Sequence, residues 1–134
     1  MIRDHNRKDY DAMLAEANEI QDYIETPENL RDPGSLVARL SAINTYIART
    51  GRLLSDARRL KDSAEEAFMT ENRELMEKVN STTFGRLLSA DISEYDYLVK
   101  RIDRLNAALT HISANLRTEI SWMKEEMGLT RSGY

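Results

Sequence analysis

Apolar residues recur along most of this chain at intervals of three and four, the spacing that gathers them on one side of an α-helix. From about Arg7 to Glu25 they are Tyr10, Met13, Leu14, Ala17, Ile20 and Ile24. Asn6 can serve as the N-cap of this first helix, and Asp9 favours the positive end of its dipole. The stretch TPENLRDPGS (Thr26–Ser35) then breaks the pattern. Pro27 restrains Thr26, and Asp32-Pro33 reads as an N-cap followed by proline at the first helical position. A second helix is predicted from Pro33 to near Asn80, with a seam of Leu36, Leu40, Ile43, Ile47, Leu54, Ala57, Ala64, Phe68, Leu75 and Val79. Thr50, Lys61 and Glu71 interrupt that seam. Such a helix would be about 70 Å long at 1.5 Å per residue, against a radius of gyration of roughly 14 Å for a compact globule of this size. Gly51 is a place where it could bend.

NSTTFG (Asn80–Gly85) interrupts the period and LLSADISEYDYL (Leu87–Leu98) restores it. Asp91 and Glu94 have the spacing of a variant capping box, so the third helix is predicted to begin at Ile92. Its seam is Tyr95, Leu98, Ile102, Leu105, Leu109, Ile112, Leu116, Ile120, Met123 and Met127. An alternation of three and four sustained this long is the coiled-coil pattern. Gly128 is a C-cap candidate, leaving 128–134 as a tail. The expected fold is therefore all-α and single-domain over 1–134: a long antiparallel helical hairpin, a shorter N-terminal helix (about 7–25, 33–80 and 92–127) and a linker at about 26–33. Two long helices and one short one bury a narrow seam. Packing several copies together is the simplest way to cover it. Leu98, Ile102, Leu105, Leu109, Ile112, Leu116, Ile120 and Met123 are the residues expected to hold a homo-oligomer.

Composition narrows the function more by exclusion than by assertion. The chain has no cysteine, which removes disulfides and thiolate metal sites and fits a reducing compartment such as the cytoplasm. The first residues lack the apolar core of a secretory leader, and no apolar run approaches the roughly 18 residues that span a membrane. Charged residues make up 31% and hydrophobic ones 41%, with little glycine or proline, as long helices require. His5 and His111 are the only histidines, and no paired-histidine spacing exists to hold a metal. His111 reads as a hydrogen-bonded interface residue near Asn115. The carboxylates Glu65, Glu66, Glu74 and Glu77 sit on a helix face that should be solvated, which does not suit tuned acid–base work. Glycine-rich phosphate loops and nucleophile elbows are missing as well. No enzyme activity and no cofactor are expected.

One run carries the chemistry. TGRLLSDARRLKD (Thr50–Asp62) holds Arg52, Arg58, Arg59 and Lys61 against Asp56 and Asp62, in a chain of formal net charge −4. Spacing allows the i,i+4 pairs Arg52–Asp56, Arg58–Asp62 and Lys61–Glu65, each worth about 0.2–0.5 kcal/mol. Such a face is ordinarily just solvated. Arg49 and Arg59 have no acid at i±4. Arg52 and Arg59 are seven apart on a face away from the seam, with Arg49 beside them. That makes a short basic stripe able to meet phosphates, and repetition in an oligomer would strengthen it. Trp122 lies off the third-helix seam, where an inter-subunit contact is the commoner role and base stacking the rarer one.

The order of elements resembles a known family. An early helix, a break, a long helix opening LVARL (Leu36–Leu40), a basic run ARRLKD (Ala57–Asp62) and a turn through LLSAD (Leu87–Asp91) lead into a final amphipathic helix. This is similar to the recombination mediator UvsY of T-even phages and its relatives, over roughly Leu36 to Met127. The resemblance implies a non-enzymatic protein of the host cytoplasm. It would bind single-stranded DNA, assemble into rings and load a recombinase onto DNA coated with single-strand-binding protein. It implies DNA contact at Arg58, Arg59 and Lys61. The chain departs from the family in its acidic net charge, in the glutamates that follow the run, and in offering little more than Phe68 where an aromatic pair often stands. The alternative is an architectural coiled-coil oligomer, a phage assembly factor or an adaptor, with the same arginines merely solubilising.

Overall fold

The computed structural model describes residues 1–26 and 32–131. It is all-helical among them, in the order α1 (Asp4–Glu25), α2 (Pro33–Glu71), α3 (Arg73–Lys78), α4 (Ser81–Asp91) and α5 (Ser93–Arg131). The expected linker's residues 27–31 and the tail's residues 132–134 lie outside the described residues. α2 and α5 form the long antiparallel pair, and α1 lies along both.

The start of α2 follows the sequence signal. Asp32 Oδ1 accepts the Ser35 amide at 2.9 Å, Oδ2 accepts the Ser35 hydroxyl at 2.9 Å, and Pro33 opens the helix. These bonds, the backbone amide first, hold the Asp32 carboxyl below the usual carboxylate range. The helix passes through Gly51 without a break and ends well short of Asn80. At Asn72 the side-chain amide donates to Phe68 O at 2.8 Å, an example of asparagine competing with the helical ladder.

What read as one helix and a turn is therefore three elements. Asn80 caps α4 by accepting the Thr83 amide at 2.7 Å, so NSTTFG starts a helix as well as interrupting one. α4 buries Phe84 against Phe68, with ring centroids 5.6 Å apart. The Asp91–Glu94 capping box does not form. Asp91 ends α4, Ile92 is its buried C-cap, and the Asp96 amide donates to Ile92 O, so the backbone continues almost uninterrupted into α5. Gly128 lies inside α5 and is not its cap. A glycine costs a helix interior about 1 kcal/mol but does not end it unless the chain must turn.

The core is a seven-residue series on α2 (Leu36, Ile43, Thr50, Ala57, Ala64), joined by Leu53 and Phe68, against Leu98, Ile102, Leu105, Leu109 and Leu116 of α5. Leu53 takes the place expected for Leu54, which is only half-buried. Thr50, expected to interrupt the seam, is fully buried. Its hydroxyl donates to Tyr46 O at 2.8 Å and accepts from Asn106 Nδ2 at 2.8 Å. The same amide reaches Ile47 O at 3.1 Å, and one heptad along Ser113 Oγ donates to Asn44 Oδ1 at 2.8 Å.

α1 corrects two expectations. Asn6 does not cap it. The helix begins at Asp4, and Asn6 is buried, donating from Nδ2 to the Tyr95 hydroxyl at 3.0 Å. That hydroxyl also accepts the Arg3 amide at 3.0 Å, and Tyr10 meets the Tyr95 ring edge-on at 6.2 Å while donating to Glu94 O. A buried tyrosine hydroxyl requires partners, and that need overrides the local capping preference.

The second correction concerns the α5 seam. With α1 as a third helix beside α2, Leu98, Ile102, Leu105, Leu109, Leu116 and Ile120 are buried within a single chain, and Ile112 and Met123 are half-buried. Of the eight residues expected to hold an oligomer, six are intrachain core and two pack against it. Each fully buried leucine or isoleucine there contributes about 1.5–3 kcal/mol to folding.

Candidate nucleic-acid interface

The basic run lies on the middle of α2, and the surrounding helices divide it. Arg52, Arg58 and Arg59 are exposed, and among the described residues none makes an ion pair or side-chain hydrogen bond. The other two candidates are engaged across helices. Arg49 forms a two-point pair with Glu16 of α1, whose carboxylate raises the guanidinium pKa. Lys61 Nζ is 3.0 Å from Asp96 Oδ1 of α5. The expected i,i+4 pairs Arg52–Asp56, Arg58–Asp62 and Lys61–Glu65 do not form.

Asp96 is shared. Lys100 Nζ binds its other oxygen at 2.7 Å, and the two lysines, Lys100 first, hold the Asp96 carboxyl below the usual range. Two cations thus rest on one carboxylate.

Arg59 opens onto a groove of ≈ 360 Å³ between α1 and α2, which Asp9, Asp56 and Met13 also line. A strand entering there would meet one cation and two carboxylates. On the other side of α1 a second groove, of ≈ 490 Å³, is lined by Tyr97, Lys100, Arg101 and Arg104 of α5, with Gln21 of α1 opposite. The charge-run reading missed it because those residues are not contiguous. Their spacing of three, one and three around a helix was the signal that could have found them.

Other candidates settle quickly. Tyr46 packs edge-on against Tyr23 at 5.0 Å. Trp122 is 66% exposed, although the next residue, Met123, packs against the core. His111 is exposed and makes no hydrogen bond among the described residues, unlike the interface role expected of it. No group of three or more His, Cys, Asp or Glu among the described residues could hold a metal ion. No helix among them is long and apolar enough to cross a membrane. Compared with known proteins, the chain matches no family model, no curated protein and no solved structure.

Proposed function

We propose that this chain binds single-stranded DNA without catalysing a reaction, and that it acts as a recombination mediator of the UvsY kind, helping to load a recombinase onto strands held by single-strand-binding protein. One observation carries the reading: Arg52, Arg58 and Arg59 stand exposed on α2 without ion-pair partners among the described residues, in a chain that is otherwise acidic. Arginine left unpaired on a helix face suits phosphate. Arg49 and Lys61 stay beside the stripe, with their charge offset by Glu16 and Asp96.

The proposed mediator works as a homo-oligomer, so that short stripes from several copies act on one strand. The α5 seam is occupied internally, so copies would meet through side chains outside the core. Val37, Trp122 and Met127 at one end and Met69, Met76 and Leu87 at the other are among the large exposed ones.

The test is a titration of labelled single-stranded DNA at several salt concentrations. Each phosphate neutralised on a single strand contributes about −0.7 to the slope of log affinity against log salt. Three arginines on phosphates therefore give a slope near −2 per chain, by roughly three times 0.7. The triple variant Arg52→Ala, Arg58→Ala, Arg59→Ala should flatten the slope and weaken binding to all sequences alike, since phosphate contacts carry no base code. Unchanged affinity in the triple variant would remove these arginines from the site. The engagement of Arg49 and Lys61 in helix-to-helix pairs favours the architectural reading instead, and a parent protein with no salt-sensitive DNA binding would establish it.

A further inference from the structure

We infer that the groove between α1 and α5 is a second contact for a single nucleic-acid strand, with Tyr97 as a base-stacking platform and Arg104 as a phosphate ligand. The choice of ligand rests on the DNA-binding reading above; the site itself rests on separate residues.

On a helix of 3.6 residues per turn, Tyr97, Arg101, Arg104 and Ala108 fall on one narrow face. Tyr97 is 53% exposed, although it neighbours the fully packed Leu98. An exposed ring beside cations is what single-strand binders use: every base has a face to stack, and the backbone runs past positive charge. Buried Leu105 also lines the groove, about two turns along α5 from the Tyr97 ring.

The charge balance favours this groove over the one on the α2 side. Among the described residues no carboxylate lines it. Arg104 has no ion-pair or hydrogen-bond partner among the described residues. Arg101 is tied to Asn18 Oδ1, a neutral acceptor, and its buried Nε–H has no partner. The nearest α5 carboxylates lie to the side. Asp96 is occupied by two lysines, and Asp103 is about a third of a turn away. On α1, Glu25 accepts from the Gln21 amide at 2.9 Å. Positive charge is therefore left over in the groove, and an anion is the occupant that matches it. Lys100, about one turn before Arg104, is held on Asp96 at 2.7 Å, so Arg104 is the cation left to meet a phosphate.

The experiment uses the full chain and a short oligothymidine. In a Trp122→Phe background, Tyr97→Trp places a fluorophore in the groove. Stacking should quench it as DNA is added. In anisotropy titrations Tyr97→Ala should weaken binding by about five-fold to a hundred-fold, the range for loss of one aromatic–base stack. Tyr97→Phe should bind like the parent, and Arg104→Ala should lower the salt slope by about 0.7. Circular dichroism and the thermal midpoint should not move for Tyr97→Ala, because the ring is largely outside the core. If the parent binds DNA and the α2 triple variant loses it, while Tyr97→Trp is not quenched and Tyr97→Ala binds normally, the groove is no DNA site and the α2 assignment survives. If Tyr97→Ala loses binding and the α2 triple variant keeps it, the groove is confirmed and the α2 assignment falls. A parent that binds no oligothymidine at low salt overturns both.

Discussion

α1 has two flanks, and they are built from different chemistry. Against α2 its polar contacts are carboxylates, Glu16 to Arg49 and Asp9 beside Asp56 and Arg59, together with the Tyr23 ring packed edge-on to Tyr46. Against α5 it offers rings and amides: Tyr10 and Asn6 to Tyr95, Asn18 to Arg101, Gln21 over the groove of Tyr97, Lys100 and Arg104. The first flank spends basic charge on folding the chain. The second leaves it available. A run of arginines in sequence is thus a poor guide to where positive charge is free, since what decides is which helix lies opposite.

The largest effect that would break this contrast is at Tyr95. Tyr95→Ala removes a fully buried ring, and comparable deletions cost about 3–5 kcal/mol. Urea unfolding should show that loss. Tyr95→Phe keeps the ring but leaves Asn6 Nδ2 and the Arg3 amide without their acceptor, which should cost about 1–3 kcal/mol. A Tyr95→Phe protein as stable as the parent would mean that α1 is held on α5 by ring packing alone.

Acid should act next, on the corner where Lys61 and Lys100 meet Asp96. The Asp96 carboxyl lies below its ordinary value in the folded chain because of those lysines. Its contribution to stability is therefore complete above the unfolded carboxyl's pKa of about 3.9 and is lost as pH falls through the lower folded value. Asp96→Asn should be less stable than the parent at neutral pH, and the gap should close as pH falls below the unfolded carboxyl's value of about 3.9. A gap that persists in acid would assign the effect to packing rather than charge.

The smallest effect belongs to the α2 flank. Arg49→Ala removes a solvent-screened surface pair with Glu16 and should shift the unfolding midpoint least of the three. That difference should shrink as salt is added. A loss near that of Tyr95→Ala would erase the distinction between the flanks.

How much of this was legible in the sequence depends on range. The Asp32 cap, the α5 seam and the long antiparallel pair follow from local chemistry and period, and the structure has all three. Thr50 and Asn6 were misread because their roles are set by partners 56 and 89 positions away, Asn106 and Tyr95. Periodicity also cannot say that an N-terminal helix returns to cover a seam. So the α5 residues looked as if they needed a second copy. Asn72 and Asn80 were visible as polar interruptions, but nothing local says whether a break joins two helices or turns the chain. Spacing allowed Arg52 and Arg58 to pair with Asp56 and Asp62, but all three arginines stand exposed, and of the two acids lining the groove at Arg59 only Asp9 comes from another helix.

The polar layer in the seam bears on how the hairpin closes. Two helices with heptad seams can slide past each other by seven residues, about 10 Å, and still match apolar to apolar. Here such a slide would carry Asn106 from Thr50 to Ala57 or to Ile43, and Ser113 from Asn44 to Gly51 or to Val37. Either way the Asn106 amide would lose the threonine hydroxyl it now reaches. Each buried donor left unsatisfied costs about 1–3 kcal/mol. A collapsing chain that first zips in a neighbouring alignment is therefore held there only weakly. It slides or reopens until asparagine meets threonine, so these two side chains act as a detent that stops α5 at one position along α2.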